Sequence, residues 1–331
     1  GVDTAEFLVN SGWKDIADRD LVDLCFFEPA DQTWGDWEAE SGYFRAAYAQ
    51  FSGTTYVYHD IFNWRYIGYG EGGELMQQYA MLNPMQVSAY AQLGAQGTMT
   101  AEEMEAIGSQ PFMVRSWETP VKIGEAALPI WIIAAEDADI DAEIAYFRAA
   151  NDTEDEPILL AGNALQYNQK PFSSNVFTYD QKVGTVKVTR VAEVDYYDAA
   201  LTEEMYKFVN LYARSGSGSP YSNSLTRSVS DDTFIREEEV VNGWQREWYI
   251  YTPSTWDGSE ALPMVIFFHG TGQSGLLAQR QGDWWKIAEQ KNFIAVCPSG
   301  SLENVRAAGK IPQMSWNVEG YGNADEIPFI K

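Results

Sequence analysis

The feature that most constrains this fold is an internal repeat with a period of 272 residues. Residues 11–29 (SGWKDIADRDLVDLCFFEP) are similar to residues 282–299 (GDWWKIAEQKNFIAVCPS), and the alignment pairs Trp13 with Trp285. In each copy the pattern predicts a short helix followed by a buried apolar strand, which is typical of an α/β fold. The repeat therefore predicts two similar α/β domains in one chain.

A second pair of segments supports the duplication and locates the two copies. Residues 38–44 (EAESGYF) resemble residues 323–329 (NADEIPF) at an offset of 285, so the second copy carries an insertion. Because the period is as long as one enzyme domain, the 331 residues are expected to hold two partial copies. We expect residues 1–214 to be the later part of one domain and residues 232–331 to be the opening half of a second. The polar, small-residue segment 215–231 between them is expected to be a linker.

Composition excludes several classes of function. The chain has 22 Lys and Arg against 48 Asp and Glu, a formal net charge of −26, which argues against binding nucleic acid or an anionic membrane. Two Cys argue against a disulfide scaffold and two His against a His-rich metal site. No apolar stretch reaches the ~18 residues needed to cross a bilayer.

The second copy begins with two strand patterns and a glycine-rich turn. Residues 246–254 (REWYIYTPS) alternate like an amphipathic strand, and 263–270 (PMVIFFHG) form a continuous apolar run typical of a buried parallel strand. The run leads into 269–275 (HGTGQSG). Without side chains in the way, backbone N–H groups of such a turn can point at a bound oxyanion.

Together with FIAVCPSG, SWN and NADEIPFIK, these segments resemble the opening half of extracellular α/β-hydrolase esterases. The resemblance is to polyhydroxybutyrate depolymerases and to feruloyl and acetylxylan esterases. It implies a mostly parallel sheet flanked by helices, with Gly270, Thr271 and Gly272 forming the oxyanion hole. His269 belongs to this loop in the resemblance and is not the family's catalytic histidine.

The family's nucleophile follows the segment that resembles NADEIPFIK, on a G-x-S-x-G turn between a strand and a helix. The resemblance therefore places the nucleophile beyond Lys331. It also implies that the second copy has an unpaired sheet edge, which a further polypeptide segment or a second chain completes.

The first copy has the pattern of the later half of the same fold. A strand, a glycine-rich elbow and a helix are predicted over 64–84, further strands over 87–97, 129–139 and 186–195, and a closing helix over 203–214. The elbow is Gly-Tyr-Gly-Glu-Gly, and the resemblance places Glu71 where the family has its serine. No His lies in 194–204, where the family has its catalytic one. The first copy is therefore expected to be catalytically dead.

The elbow sequence allows two other interpretations. Gly68, Gly70 and Gly73 satisfy the dinucleotide fingerprint G-x-G-x-x-G, but no acidic residue follows near 91–97 to hold a ribose, so no cofactor is expected. Alternatively, Glu71 could be a carboxylate nucleophile, which still requires a His to activate water. His59 precedes the elbow strand and is interpreted as a surface or packing residue.

The family's acid follows the strand over 129–139, where Asp137 and Asp139 are candidate vestigial acids beside Glu136. These carboxylates are expected instead to cap the following helix, because a helix N-terminus favours negative charge. Whether the cluster from Glu136 to Asp141 binds calcium stays open, since its spacing matches no known loop. No metal site is predicted.

Aromatic residues crowd the elbow region and allow a carbohydrate-binding interpretation, although core packing is expected for most of them. They are Trp34, Trp37, Tyr56, Tyr58, Phe62, Trp64, Tyr66 and Tyr69, and the same caution applies to Trp284, Trp285 and Trp316. Cys25 and Cys297 are expected at equivalent positions inside apolar strands, as small hydrophobic residues.

The resemblance implies part of a secreted serine esterase that cleaves carboxylic esters of plant-wall polysaccharides or of a polyester, with no cofactor. The alternative is a non-catalytic pseudo-hydrolase that binds carbohydrate or serves as a scaffold. That alternative follows from the missing Ser and His of the first copy.

Overall fold

The computed structural model describes residues 3–20, 22–29, 33–53, 64–112, 121–170, 183–215, 224–227, 233–270, 273–282, 284–301, 314–317 and 326–331. The chain divides into two units. Unit 1 comprises Gly1–Ala49 and Ile61–Ser228, and unit 2 comprises Gln50–Asp60 and Val229–Lys331. Each unit is built around its own β-sheet with helices, which confirms the α/β fold class.

Unit 1 contains most of the helices and strands. Its elements in chain order are α1 (Thr4–Asn10), α2 (Trp13–Asp20), α3 (Trp37–Gly53), β1 (Trp64–Tyr69), α4 (Gly70–Leu82), β2 (Val87–Ala95), α5 (Ala101–Gly108), β3 (Pro111–Phe112), β4 (Val121–Lys122), β5 (Ile130–Ala135), α6 (Asp141–Ala150), β6 (Ile158–Leu159), β7 (Leu165–Asn168), β8 (Thr185–Val191), α7 (Ala199–Asn210), β9 (Tyr212–Ser215) and β10 (Ser224–Arg227). Short 3₁₀ turns lie at Pro84–Gln86, Ile123–Glu125 and Ala161–Asn163.

The main sheet of unit 1 is mixed and mostly parallel, in the order β1-β2-β5-β8-β7-β6. The strands β1, β2, β5 and β8 pair in parallel, while β7 pairs antiparallel to β8 and β6 antiparallel to β7. Parallel strands buried on both faces have continuous apolar sequences. All nine residues of β2 are buried.

Helices cover both faces of this sheet. On one face, residues of α4, α5 and α6 such as Tyr79, Met104 and Phe147 pack against alternate residues of the central strands. On the other face, α7 buries Met205 and Phe208 against the opposite set of strand residues. The loops at the carboxyl ends of the parallel strands therefore lie at one edge of a well-packed core.

Most predicted elements of the first copy occur close to their expected bounds. The structure differs from the prediction in residues 215–231, which the sequence predicts to be a linker. Strand β10 within it pairs with β9, and Leu225 of β10 is fully buried in the core of unit 1. Because this segment is mostly polar, its composition does not predict a strand. The single apolar residue of β10, Leu225, attaches the strand to the core.

Unit 2 has a smaller sheet. Its elements are β11 (Ile235–Val241), β12 (Trp244–Tyr251), β13 (Met264–Ile266), α8 (Gly275–Gly282), α9 (Trp284–Lys291), β14 (Ile294–Pro298) and α10 (Ile327–Ile330). The order is β11-β12-β14-β13, with β13 parallel to β14 and the other neighbours antiparallel. Asn242 and Gly243 join β11 to β12 with positive φ at both positions, as a tight hairpin turn requires.

The two outer strands of the unit 2 sheet differ in chemistry. Strand β11 exposes three consecutive glutamates, Glu237, Glu238 and Glu239. Strand β13 was predicted to be buried, but Met264 is 58% exposed and Ile266 39% exposed. The reason is position: β13 is the last strand of its sheet in the part of the chain that the structure describes.

The repeated segments match as helices but not as strands. Helices α2 and α9 begin within one residue of equivalent positions of the repeat. Cys297 is buried in β14, as expected, whereas Cys25 is exposed in a segment without regular structure, so its predicted burial in a strand is wrong. In the described residues, no strand of unit 1 pairs with the segment around Cys25.

Among the helices of the described residues, none combines the length and the apolar character that crossing a membrane requires.

Candidate functional site

The elbow of unit 1 is a tight turn between β1 and α4 packed on glycine. Tyr69 is extended, with φ −126° and ψ 122°, and Gly70 then turns the chain with φ +48°. A Cβ atom on Gly68 would lie 2.5 Å from Cα of Gly73, so these two glycines let the helix pack directly on the strand. Close backbone packing thus accounts for the glycine spacing that resembles a dinucleotide fingerprint.

The position at the apex of the turn is Gly70, one residue before the Glu71 assigned from the sequence. A nucleophile elbow holds its serine on the strained turn itself, and here the positive φ belongs to Gly70. Glu71 follows in the first turn of α4, where its side chain is exposed. Counting along Gly68–Gly72 gives the same register, because the serine of G-x-S-x-G is the third residue, which here is Gly70. The residue at the apex carries no side chain that could act as a nucleophile.

A tyrosine from the loop after β8 closes this elbow. The Tyr196 hydroxyl would be 3.1 Å from a Cβ on Gly70 and 2.5 Å from one on Gly94. Burial, and to a smaller extent the charge of Glu71, raise the pKa of Tyr196 above its usual range, so the hydroxyl keeps its proton at neutral pH. The loop in which the family carries its histidine thus presents a phenol to the elbow.

The candidate acids lie on an exposed turn after β5. Asp137 and Asp139 are both exposed, and so is Glu136. Arg190 of β8 donates hydrogen bonds to the carbonyls of Ala135 and Ala138, which fixes the backbone of this turn. The turn is therefore held by its backbone and leaves its carboxylates in solvent.

The expected capping role of these acids is wrong. Helix α6 has Ile140 at its N-cap position, without a side-chain cap hydrogen bond, so the acidic residues before it cap nothing. Among the described residues, no group of three or more His, Cys, Asp or Glu is arranged to hold a metal ion, and this includes the turn from Glu136 to Asp141.

The aromatic residues around the elbow mostly belong to the core. Tyr66 is buried, and Trp34, Trp37 and Trp64 pack against the same apolar cluster. Tyr69 packs on the opposite face, where its hydroxyl accepts a hydrogen bond from the Trp13 indole at 2.7 Å. Tyr56, Tyr58 and Phe62 lie outside the described residues. Trp284 and Trp285 likewise pack against the core of unit 2.

The glycine-rich turn of unit 2 follows β13 and leads into α8. The N–H of Gln273 donates to the Gly270 carbonyl at 3.2 Å, closing a four-residue turn. Of the predicted oxyanion-hole residues, Gly270 is described, whereas Thr271 and Gly272 lie outside the described residues. The N–H of Gly270 donates to Oε1 of Gln273 at 2.9 Å. An amide oxygen of the protein thus accepts the hydrogen bond that was predicted for an oxyanion.

His269 contacts this turn with its ring and does not face solvent. Its side chain is buried, with Nε2 accepting the N–H of Gly300 at 2.8 Å and Nδ1 2.6 Å from the Gly270 carbonyl oxygen. The Trp316 indole donates to the His269 carbonyl at 3.0 Å. Burial lowers the pKa of His269, which favours the neutral ring. These contacts support the structural role assigned to His269 and give it no free nitrogen for catalysis.

A buried ion pair lies near His269. Arg246 of β12 pairs with Glu326, and both side chains are buried. The second carboxylate oxygen of Glu326 accepts the N–H of Asn317 at 3.3 Å, next to Trp316. The Arg246 guanidinium also lies 4.1 Å from the centre of the Phe329 ring. The sequence had offered no signal for this pair, because 80 residues separate its members.

The two units hold different parts of the predicted site, each described by itself. Unit 1 has a strand–elbow–helix turn without a nucleophile, and unit 2 has a held turn whose backbone donor could face an oxyanion. Sequence reasoning missed Tyr196, Gln273 and the Arg246–Glu326 pair. Tyr196 has a recognisable signal, because it stands in the loop where the resemblance places a histidine.

In comparisons with known proteins, no protein-family model matches the chain and no curated protein sequence matches it.

Proposed function

We propose that the chain is part of a secreted carboxylic ester hydrolase of the α/β-hydrolase type, built from two partial copies of that fold. Unit 2 supplies the oxyanion-hole turn around Gly270, and unit 1 is catalytically silent. The substrates are ester bonds of plant-wall polysaccharides or of a polyester. This assignment rests on the resemblance of the segments from 246 to 331 to the opening half of such esterases.

The observation that carries the proposal is the setting of the unit 2 turn. It follows a parallel strand, it leads into the N-terminus of α8, and three polar contacts of His269 and Trp316 hold it. Because an oxyanion hole must be preorganised, a turn fixed in this way suits the stabilisation of a developing negative charge. Gln273 would have to release the Gly270 N–H when a substrate binds.

Among the described residues β13 has a neighbouring strand on one side only, which supports the same assignment. In α/β-hydrolases the oxyanion loop and the nucleophile elbow supply N–H groups to one oxyanion, so their strands must be close together. The 331 residues contain no G-x-S-x-G sequence. The proposal therefore assigns the nucleophile strand to polypeptide other than these residues, paired with β13, whose exposed Met264 and Ile266 it would cover.

A serine-directed fluorophosphonate probe tests the proposal on the protein isolated from its native source. We expect covalent labelling of one serine in a G-x-S-x-G peptide that lies outside the present sequence, together with turnover of short p-nitrophenyl esters. Heat-denatured protein is the control, because labelling of a catalytic serine requires the folded site. No labelling and no turnover would contradict the proposal.

The second interpretation, a non-catalytic carbohydrate-binding protein, predicts that neither signal is seen. Its specific support is the pairing of Gly70 with Tyr196 in place of a nucleophile and a histidine. Tyr66 is buried and Trp34, Trp37 and Trp64 are partly buried against the core, which reduces the aromatic surface that sugar binding would need. The geometry thus favours the esterase proposal over this alternative.

A further inference from the structure

Two glutamates are buried beside each other in unit 1, away from the elbow. Glu74 of α4 is 6% exposed and Glu143 of α6 is fully buried. Both helices pack on the same face of the sheet. Two carboxylates in such a place are rarely both ionised, because burial and mutual repulsion disfavour the second charge.

Glu74 has the environment of an ionised carboxylate. Its Oε1 accepts hydrogen bonds from the Gln92 side chain at 2.6 Å and from the backbone N–H of Gln96 at 2.8 Å. Its Oε2 accepts from the N–H and the hydroxyl of Thr98, at 3.3 and 2.8 Å. Four donors directed at one carboxyl group stabilise its charged form.

Glu143 has the environment of a protonated carboxyl. It faces Glu74, the Gln77 amide and the N–H of Gly97. Within the described residues, neither its oxygens nor the Gln77 amide has a partner at full hydrogen-bond geometry. Burial, and then the charge of Glu74, raise the pKa of Glu143 to about 8.

The other groups around the pair are neutral. Tyr90 of β2 faces both glutamates, and burial followed by their charges raises its pKa well above its usual range. The remaining neighbours, Gln77, Gln92 and Thr98, do not titrate. No lysine or arginine is among the groups that the structure places against the two carboxyls. Loss of the proton on Glu143 therefore leaves two adjacent negative charges without a countercharge.

The pair binds the loop that follows β2. The backbone N–H groups of Gln96 and Thr98 donate to Glu74, and the N–H of Gly97 faces Glu143 without full hydrogen-bond geometry. Gly97 has φ +65°, and a Cβ on it would be 1.7 Å from the Asp139 carbonyl oxygen. The loop is thus in direct backbone contact with the turn that precedes α6.

We propose that Glu74 and Glu143 form a one-proton latch that holds residues 96–98 against the turn before α6 and releases them at alkaline pH. With the proton present, Glu143 is a neutral donor beside the Glu74 carboxylate. When hydroxide removes that proton, the two charges repel each other and the loop opens to let water reach them. The latch acts on two loops at the carboxyl edge of the unit 1 sheet and is independent of any esterase activity.

The size of the effect follows from proton linkage. The pKa of the Glu143 carboxyl is about 8 in the closed loop and has its ordinary value in the open loop. Because of this difference, the carboxyl favours closure less as the pH rises. Between pH 7 and pH 9 the closed-to-open ratio should fall about tenfold.

Hydrogen exchange on the full 331-residue chain tests the latch. We expect the protection factors of the Gln96, Gly97 and Thr98 amides, corrected for intrinsic exchange at each pH, to fall about tenfold from pH 7 to pH 9. Glu143→Gln keeps the shape and removes the titration, so its protection should not change with pH. Asp141→Asn is the matched control, since Asp141 lies on the same helical turn with an 88% exposed side chain and should behave like the wild type.

A pH-independent protection factor in the wild type would overturn the proposal, as would the same tenfold fall in Glu143→Gln. If Glu143→Gln does not fold, ¹³C NMR of the wild-type carboxyl carbons decides the matter. The latch requires Glu143 to titrate near pH 8, and titration in the ordinary range of 4 to 5 for a glutamate would contradict it.

Discussion

Burial gives the His269 side chain a structural role. Nε2 accepts the Gly300 N–H, so the neutral ring must carry its proton on Nδ1, where it faces the Gly270 carbonyl. Both ring nitrogens are thus used to hold the turn after β13. A catalytic histidine would need one of them free to exchange a proton with a substrate or a nucleophile.

We predict that His269 is neutral, with the proton on Nδ1, at pH 6 as well as at pH 8. Its pKa is lowered by burial, so the ring does not take up a proton where an exposed histidine does, near 6.5. The chain has two histidines, so ¹⁵N NMR of histidine-labelled protein gives two ring systems, and His59→Gln assigns them. A ring titrating near pH 6.5, or a proton on Nε2, at His269 would contradict the structure.

The same shift has a stability consequence with a definite sign. Because the native pKa of His269 lies below its unfolded value, the unfolded chain binds more protons as the pH falls below about 6.5. This group therefore destabilises unit 2 on acidification. Glu143 acts in the opposite direction in unit 1, since its native pKa is raised and its contribution to stability declines as the pH rises from about 4.5 to about 8.

At the scale of elements, loops at the carboxyl edge of the unit 1 sheet depend on close backbone contact. Gly97 and Gly162 both have positive φ, at 65° and 70°. A Cβ on Gly97 meets the Asp139 carbonyl oxygen, whereas one on Gly162 meets no atom within 4 Å. The two positions separate the cost of the backbone conformation from the cost of a steric clash.

We predict that Gly97→Ala lowers the free energy of unfolding of unit 1 by about 3 kcal/mol or more, from conformational strain plus overpacking. Gly162→Ala carries the conformational strain without the clash, so its effect should be about 1 kcal/mol. Urea denaturation of both variants measures the difference. Equal effects would show that the contact between Gly97 and the turn before α6 is not tight.

The sequence predicts elements best where burial is complete. Strand β5 has a continuous apolar sequence because both faces of the sheet are covered. Strands β2 and β8 also contain polar residues, and the positions of all three strands are predicted closely. For β13 the apolar sequence led to a wrong prediction of burial, since an apolar run does not reveal whether a neighbouring strand covers it. The turn at Gly70 is predicted as an elbow but one residue off, because the prediction places the serine at the fourth residue of Gly68–Gly72, whereas in G-x-S-x-G it is the third.

Long-range polar contacts could not be predicted at all. Glu74 and Glu143 come together only because α4 and α6 pack on one sheet face, and Arg246 meets Glu326 only in the folded unit 2. Each sequence position alone resembles an ordinary surface charge. The repeat, by contrast, is visible in sequence, and the equivalent helices α2 and α9 agree with it while the segment around Cys25 does not.

At the scale of the whole molecule, each unit has its own sheet and core, which makes independent unfolding the natural expectation. We predict two urea transitions that respond to different substitutions. Gly97→Ala should shift only the transition of unit 1. Glu326→Ala leaves Arg246 buried without its carboxylate and should destabilise only unit 2, by about 3 kcal/mol or more.

Tryptophan fluorescence and near-UV circular dichroism, recorded together across the urea series, follow the two transitions. Gly162→Ala serves as the mild control for unit 1. A single transition moved by both substitutions would show that the units unfold as one cooperative body.

The two outer strands of the unit 2 sheet also determine how such a sheet can grow. A second copy of β11 added at its own edge would bring the exposed carboxylates of 237–239 opposite one another, and like charges across a strand pair are destabilising. Strand β13 carries apolar side chains and no charge. A further strand can therefore pair at the β13 edge, whereas pairing at the β11 edge is disfavoured. Completion of the sheet by one partner strand is therefore favoured over repeated addition of copies at both edges.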